Sequence, residues 1–233
     1  MEDTRPDLHV SGVNNAPGGH YRDATVEGVG KVQGDVRADG VFRINGVVTV
    51  FGNVMAAEFN GDGKFKIEGG LTAESTRLNG MVDVKGAVRG ESLRLQGMLN
   101  VRDDCELERF EVEGGFTIGG LLNAGMIDIR MHAKCRAQEI GGDTIRVRKM
   151  SRSAWQRLWK WMFPKWFPEM EANLIEGDEV DLENTTAAVV RGNRVVIGTG
   201  CSIERVEYRT ELVKRPGAHV KEEVKTGGGN DEC

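Results

Sequence analysis

Four histidines and four cysteines carry most of the chemical potential of this 233-residue chain. Three imidazoles converging on one point would hold a zinc ion and activate its bound water. A single imidazole oriented by a carboxylate would serve as a general base. His9, His20 and His219 lie in or beside polar terminal segments, so no zinc triad is expected. His132 alone falls within patterned sequence, at an outward position beside Met131. With neither an orienting carboxylate nor a cleft identified by the sequence, it reads as a surface histidine. Cys105, Cys135, Cys201 and Cys233 are far apart and lack the CxxC spacing of metal or redox sites. The first three sit in apolar patterns and are expected to be small core fillers in a reduced, cytoplasmic protein. "VEGVGKVQG" (26–34) imitates a dinucleotide fingerprint, but no helix follows it to bind phosphate. The acids of "EGDEVDLE" (176–183) alternate with apolar residues, as on a solvated strand. No catalytic residue, cofactor site or metal ligand is expected.

The elements around these residues come from an internal repeat. Gly28, Gly46, Gly63, Gly80, Gly97 and Gly114 are spaced by 18 and then four times by 17. A second column holds Gly34, Gly52, Gly69, Gly86, Asp103 and Gly120 at the same spacings. Apolar columns run in parallel, such as Val32, Val50, Ile67, Val84, Val101 and Ile118. Within a repeat the alternation has period two, and segments such as "AEST" (73–76) and "GESL" (90–93) reset its phase. The glycines are expected at corners, where a side chain would clash. The prediction is an all-β fold, a β-solenoid with about 17 residues per coil and roughly nine coils in all. The chain holds 32 glycines and only 6% aromatics, which suits short strands and tight corners. Its net charge of −5 gives no case for nucleic-acid binding. The predicted organisation is a disordered tail (1–20), solenoid (21–149), an insertion (150–173), further solenoid (174–214) and a second disordered tail (215–233). The N-terminal stretch shows neither a secretory signal nor a membrane span.

The insertion holds all four tryptophans of the chain within "SRSAWQRLWKWMFPKWFPEM" (151–170). Over 154–166 the spacing predicts an amphipathic helix: Trp155, Leu158, Trp159, Met162, Phe163 and Trp166 share one stripe, with Arg152, Arg157, Lys160 and Lys165 on its flanks. Pro164 and Pro168 interrupt that pattern, so Trp166 and Phe167 are expected beyond a kink or in an extended arm; Trp161 completes the cluster. A helix of about twelve residues is some 18 Å long, too short to cross a bilayer, but its composition suits the headgroup region. Packing of the stripe on the solenoid or on a second copy is the alternative. It is weakened by the outward residues of the coils, which read as mostly polar.

The repeated blocks "INGVVTVFGNVMAAE" (44–58) and "LNGMVDVKGAVRGES" (78–92) resemble bactofilins, bacterial polymer-forming cytoskeletal proteins. The resemblance covers about 26–149 and, more loosely, 174–208. It implies a right-handed three-sided β-helix that polymerises without nucleotide through its terminal coils, expected here at Val26, Val32, Val36, Val206 and Tyr208. The partners it implies are further copies of the chain, a paralogue, the inner leaflet of the cytoplasmic membrane, and envelope or motility-organelle proteins. The expected role is a scaffold for cell shape, envelope or motility machinery. This chain departs from the family pattern in its larger number of coils and in the late tryptophan-rich insertion. The alternatives are an acyltransferase-like left-handed β-helix enzyme and a discrete solenoid adaptor that binds a protein through the insertion.

Overall fold

A computed structural model of the chain describes residues 5–149 and 168–227. Thirteen strands follow one another: β1 (Leu8–Val10), β2 (Val13–Tyr21), β3 (Ala24–Val50), β4 (Val54–Ile67), β5 (Leu71–Val84), β6 (Val88–Val101), β7 (Cys105–Ile118), β8 (Leu121–Arg136), β9 (Glu139–Lys149), β10 (Met170–Leu182), β11 (Thr185–Ile197), β12 (Ser202–Lys214) and β13 (His219–Lys225). All pairings are parallel, and each interior coil bonds to the coils before and after it. The result is a β-solenoid of about 12 turns, more than the nine expected.

The coil around β5 shows how sequence becomes shape. Leu71 and Ala73, then Thr76 and Leu78, then Val82 and Val84 are buried, one pair for each of three short sides. Between Ala73 and Thr76 the inward positions are three residues apart, the phase reset that an odd repeat needs. The buried pairs stack on their counterparts in the next coil, as Leu71 on Val88 and Val84 on Val101. Every coil thus adds a layer to one continuous apolar core, and its backbone polar groups are met by its neighbours. Phenylalanines fill several of these layers: Phe110 meets Phe116 edge-to-face with centroids 5.4 Å apart.

Two kinds of corner close the triangle. Gly28, Gly46, Gly63, Gly80, Gly97 and Gly114 all have positive φ, and a Cβ on Gly46 would stand 2.0 Å from the carbonyl oxygen of Gly28. In the second column only Gly34 has positive φ; Gly52, Gly69, Gly86 and Gly120 are needed for close approach to the preceding coil instead. Beside this corner, short polar side chains bind the next coil. The Asp35 carboxylate accepts from the Asn53 N–H (2.7 Å), the Asn53 side chain accepts from Gly70 N–H (2.8 Å), and Asp104 accepts from Leu121 N–H (2.8 Å). Ion pairs between coils, such as Arg89–Glu106 at 3.1 Å, sit on the exposed outer faces and contribute little.

Several boundaries differ from the sequence expectation. Residues 8–20, expected within a tail, belong to β1 and β2, which cover the coil that begins β3. Residues 219–225, also expected within a tail, form β13 against β12. At the insertion, Met170 and Glu171 already pair with Cys135 and Arg136, so the solenoid resumes before residue 174. Edge segments bury one side at most, so the apolar alternation that marks interior coils is diluted in "VNNAPGGHY" and "HVKEEVK".

Cys105, Cys135 and Cys201 are buried. Burial in apolar surroundings pushes the Cys105 and Cys135 thiols up to about 12 and raises that of Cys201 as well. Iodoacetamide is therefore expected to leave these three unlabelled in the native protein and to label all three in denaturant. Native labelling of any, read by peptide mass spectrometry, would reveal a coil that opens.

Candidate functional site

No described group of three or more His, Cys, Asp or Glu side chains is placed to hold a metal ion. His132 is exposed and has a carboxylate neighbour that the sequence did not reveal, Glu113, at 3.3 Å. The features that distinguish one part of this surface from another are the two ends, one corner and one ridge.

At both ends the core runs out before it is covered. Leu8, Val10 and Tyr21 at the N-terminal end are only partly buried against the core. Tyr208, Leu212, Ala218 and Val220 are in the same state at the C-terminal end. Among the described residues, β1 and β2 pair only with β3 and β13 only with β12, so each end carries a strand edge with a free side. Of the residues expected at the terminal coils, Val26, Val32, Val36 and Val206 are buried beneath these outer strands, and Tyr208 is half-buried against β13. The ends are therefore one coil further out than the sequence indicated. Charge organises the N-terminal end: Arg22 bonds Asp7 (Nε–Oδ1 2.9 Å), and the Asp39 carboxylate takes both His20 (2.7 Å) and Arg5. Hydrogen bonding to Arg22 holds the Asp7 carboxyl below the usual range, and His20, then Arg5, do the same for Asp39.

The corner of the first glycine column continues where the sequence pattern stops. It begins at Gly12, whose carbonyl oxygen lies where a Gly28 Cβ would go, and resumes at Asn184, Gly200 and Gly217. Asn184 is the only described non-glycine residue with positive φ (47°); asparagine tolerates the left-handed region better than most. Two coils lack such a residue. Met131 pairs with Gly114 and Lys149 pairs with Met131, so these two occupy the corner. In both coils the chain turns by added residues: a shift in register at 132–134, and the segment 150–167. The insertion thus leaves at Lys149 and returns at Pro168 through one corner of the triangle. The contact residues expected between Arg152 and Phe167, and the helix over 154–166, lie outside the described residues. Beside the exit, Arg148 bonds Asp181 at 2.5 Å, Glu183 lies 3.9 Å from Arg148, and Arg215 stands 3.6 Å from both acids. Its pairing with Asp181 raises the Arg148 guanidinium above its usual range.

The outward surface is less polar than the sequence suggested. The residue following each corner glycine forms a column: Val13 pairs with Val29, Val47 with Lys64, Lys64 with Met81 and Met81 with Met98, and Gly46 stacks on Gly28 between the two runs. Val13 is 87% exposed, Val29 and Val47 each 52%, and Met81 58%. Only Lys64 breaks this apolar ridge.

No family model matches the chain, and no solved structure matches it. The chain is similar to two curated proteins of Bacillus subtilis (strain 168), both named as uncharacterized. It is 42% identical to YhbF over 107 residues and 41% identical to YhbE over 109 residues. Each alignment covers 46% of this chain, and 42% and 44% of the two relatives, so the chain spans less than half the length of the curated relatives it matches.

Proposed function

We propose that this chain is the subunit of a non-enzymatic polymer, a scaffold that grows by stacking one solenoid end on the next copy's opposite end. The observation that carries this reading is the state of the two ends. Each presents strand edges with a free side and apolar side chains only partly covered. A further coil is what such a surface accepts best, because it supplies both the missing hydrogen bonds and the missing core layer. The two ends are different surfaces, so the contact is heterologous and does not close on itself. This reading calls for no nucleotide, and Gly28 and Gly34 of the stretch that imitates a phosphate loop serve as corners.

The tryptophan-rich segment 150–167 is the tether of this scaffold to lipid, at the inner leaflet of the cytoplasmic membrane. Its four cations and no acids suit an anionic surface, each worth about 1 kcal/mol there. A polymer multiplies such weak attachments. The cellular role is organisation of cell shape, envelope or motility machinery, with a paralogue as co-subunit. Purified protein is expected to sediment as filaments without nucleotide, and to float with vesicles containing anionic lipid. Replacing Trp155, Trp159 and Trp166 together by alanine abolishes flotation and leaves sedimentation intact. A particle that stays small and discrete at high concentration rejects the scaffold; flotation unaffected by the triple variant rejects the tether.

A further inference from the structure

We propose that, away from lipid, the segment 150–167 is held by its own solenoid, on the apolar ridge at Met98 and Met81. The ridge and the segment share one corner. Met98 pairs with Gly115, and Gly114 pairs with Met131, which pairs with Lys149, where the segment departs. Strand spacing of about 4.8 Å puts Met98 some 14 Å and Met81 some 19 Å below that exit. A chain of 18 residues returning to its starting corner reaches about 30 Å when extended and doubled back, enough for both rungs. In the opposite direction the same corner offers no such surface. There the column passes through Glu169, Asn184, Gly200 and Gly217, one residue before the inward Met170, Thr185 and Cys201, and holds no apolar side chain.

Chemistry favours the same partner. Met81 is 58% exposed and Met98 half-buried, and thioethers pack well against aromatic rings. The residues two positions before and after Met81, Met98 and Gly115 are Asn79, Asp83, Gln96, Asn100, Glu113 and Thr117. The two carboxylates among them already face partners of their own, Asp83 to Lys85 at 2.9 Å and Glu113 to His132 at 3.3 Å, so the apolar thioether surface and not charge favours this partner. The ridge would therefore cover the tryptophans until a stronger surface takes them. This holds whether or not that surface is a membrane, so it stands apart from the tether assigned above.

All four tryptophans lie within the segment and both tyrosines outside it, so fluorescence excited selectively at tryptophan reports on it alone. In vesicle-free buffer the full chain is expected to show blue-shifted emission and weak acrylamide quenching, independent of protein concentration. Met81→Glu with Met98→Glu, both outward and so compatible with an unchanged circular dichroism spectrum, should move emission to the red and raise quenching roughly twofold or more. Met55→Glu, on another side of the coil, should change neither. Fully solvated emission in the parent protein overturns the proposal. So does shielding that survives the double variant, and so does shielding that disappears on dilution, which would place the segment on another copy.

Discussion

Gly80→Ala is expected to destabilise the solenoid far more than Gly34→Ala, although both replace a corner glycine that has positive φ. At Gly80 φ is +117°, and a Cβ would lie 2.1 Å from the carbonyl oxygen of Gly63 in the coil below. The new methyl meets backbone on both counts: its own conformation is strained, and the neighbouring coil has no side chain that could swing aside. Strain of about 1–3 kcal/mol adds to overpacking of about 1–3 kcal/mol, giving a loss of about 4 kcal/mol. At Gly34 φ is +93°, but nothing lies within 4 Å of the added carbon, so only strain of about 1–3 kcal/mol remains. Denaturant unfolding followed by circular dichroism measures the difference. A solenoid is stabilised coil by coil, so Gly80→Ala should also split the array, with hydrogen exchange fastest in the coils beside residue 80. Equal losses at the two sites would show that the stacked carbonyl, the feature that sets one corner apart from the other, has no energetic weight.

The second large effect concerns assembly. Leu8→Asp with Val10→Asp places charge on the open core of the N-terminal end; Val220→Asp with Val224→Asp does so at the other end, where both residues are half-buried in β13. Each variant alone is expected to lose sedimentable polymer, since stacking would bury unpaired carboxylates, and each apparent association constant should fall by about a hundredfold or more. Mixing the two gives a sharper outcome. The first keeps a native C-terminal end and the second a native N-terminal end, so together they form one junction and stop at a dimer. Sedimentation equilibrium should therefore report monomers for either variant and twice that mass for the mixture. Dimers from one variant alone would point to a two-fold contact in place of head-to-tail stacking. Failure of the mixture to associate, with both variants folded by circular dichroism, would remove the ends from the assembly.

The Bacillus relatives give the chain sequence neighbours without a stated activity, so the functional reading rests on the surface. On that surface the ends, the exit corner and the ridge have different standing. The ends offer what a further coil needs. The exit corner fixes where the tryptophan-rich segment departs. The ridge is an exposed apolar surface, which the outward residues read from sequence as mostly polar did not offer.

What the amino-acid order determined by itself was everything that repeats. Val84 above Ile67 and Gly80 above Gly63 are legible because a coil that packs on a near-copy of itself must place the same kind of residue at the same phase each time. The burial of Cys105 and Cys135 follows from the same columns. What only the tertiary structure decided is where the repetition is broken or shared between distant residues. The outermost strands have a neighbour on one side alone, so their half-covered residues lose the alternation that marks an interior strand. Asn184 and Gly12 extend the glycine corner through backbone geometry, across spacings that no single period connects. Val29, Val47, Met81 and Met98 are isolated apolar letters in the linear text. They become one ridge because stacking brings residues some 17 positions apart to within a strand's spacing, and that proximity exists only once the chain has wound.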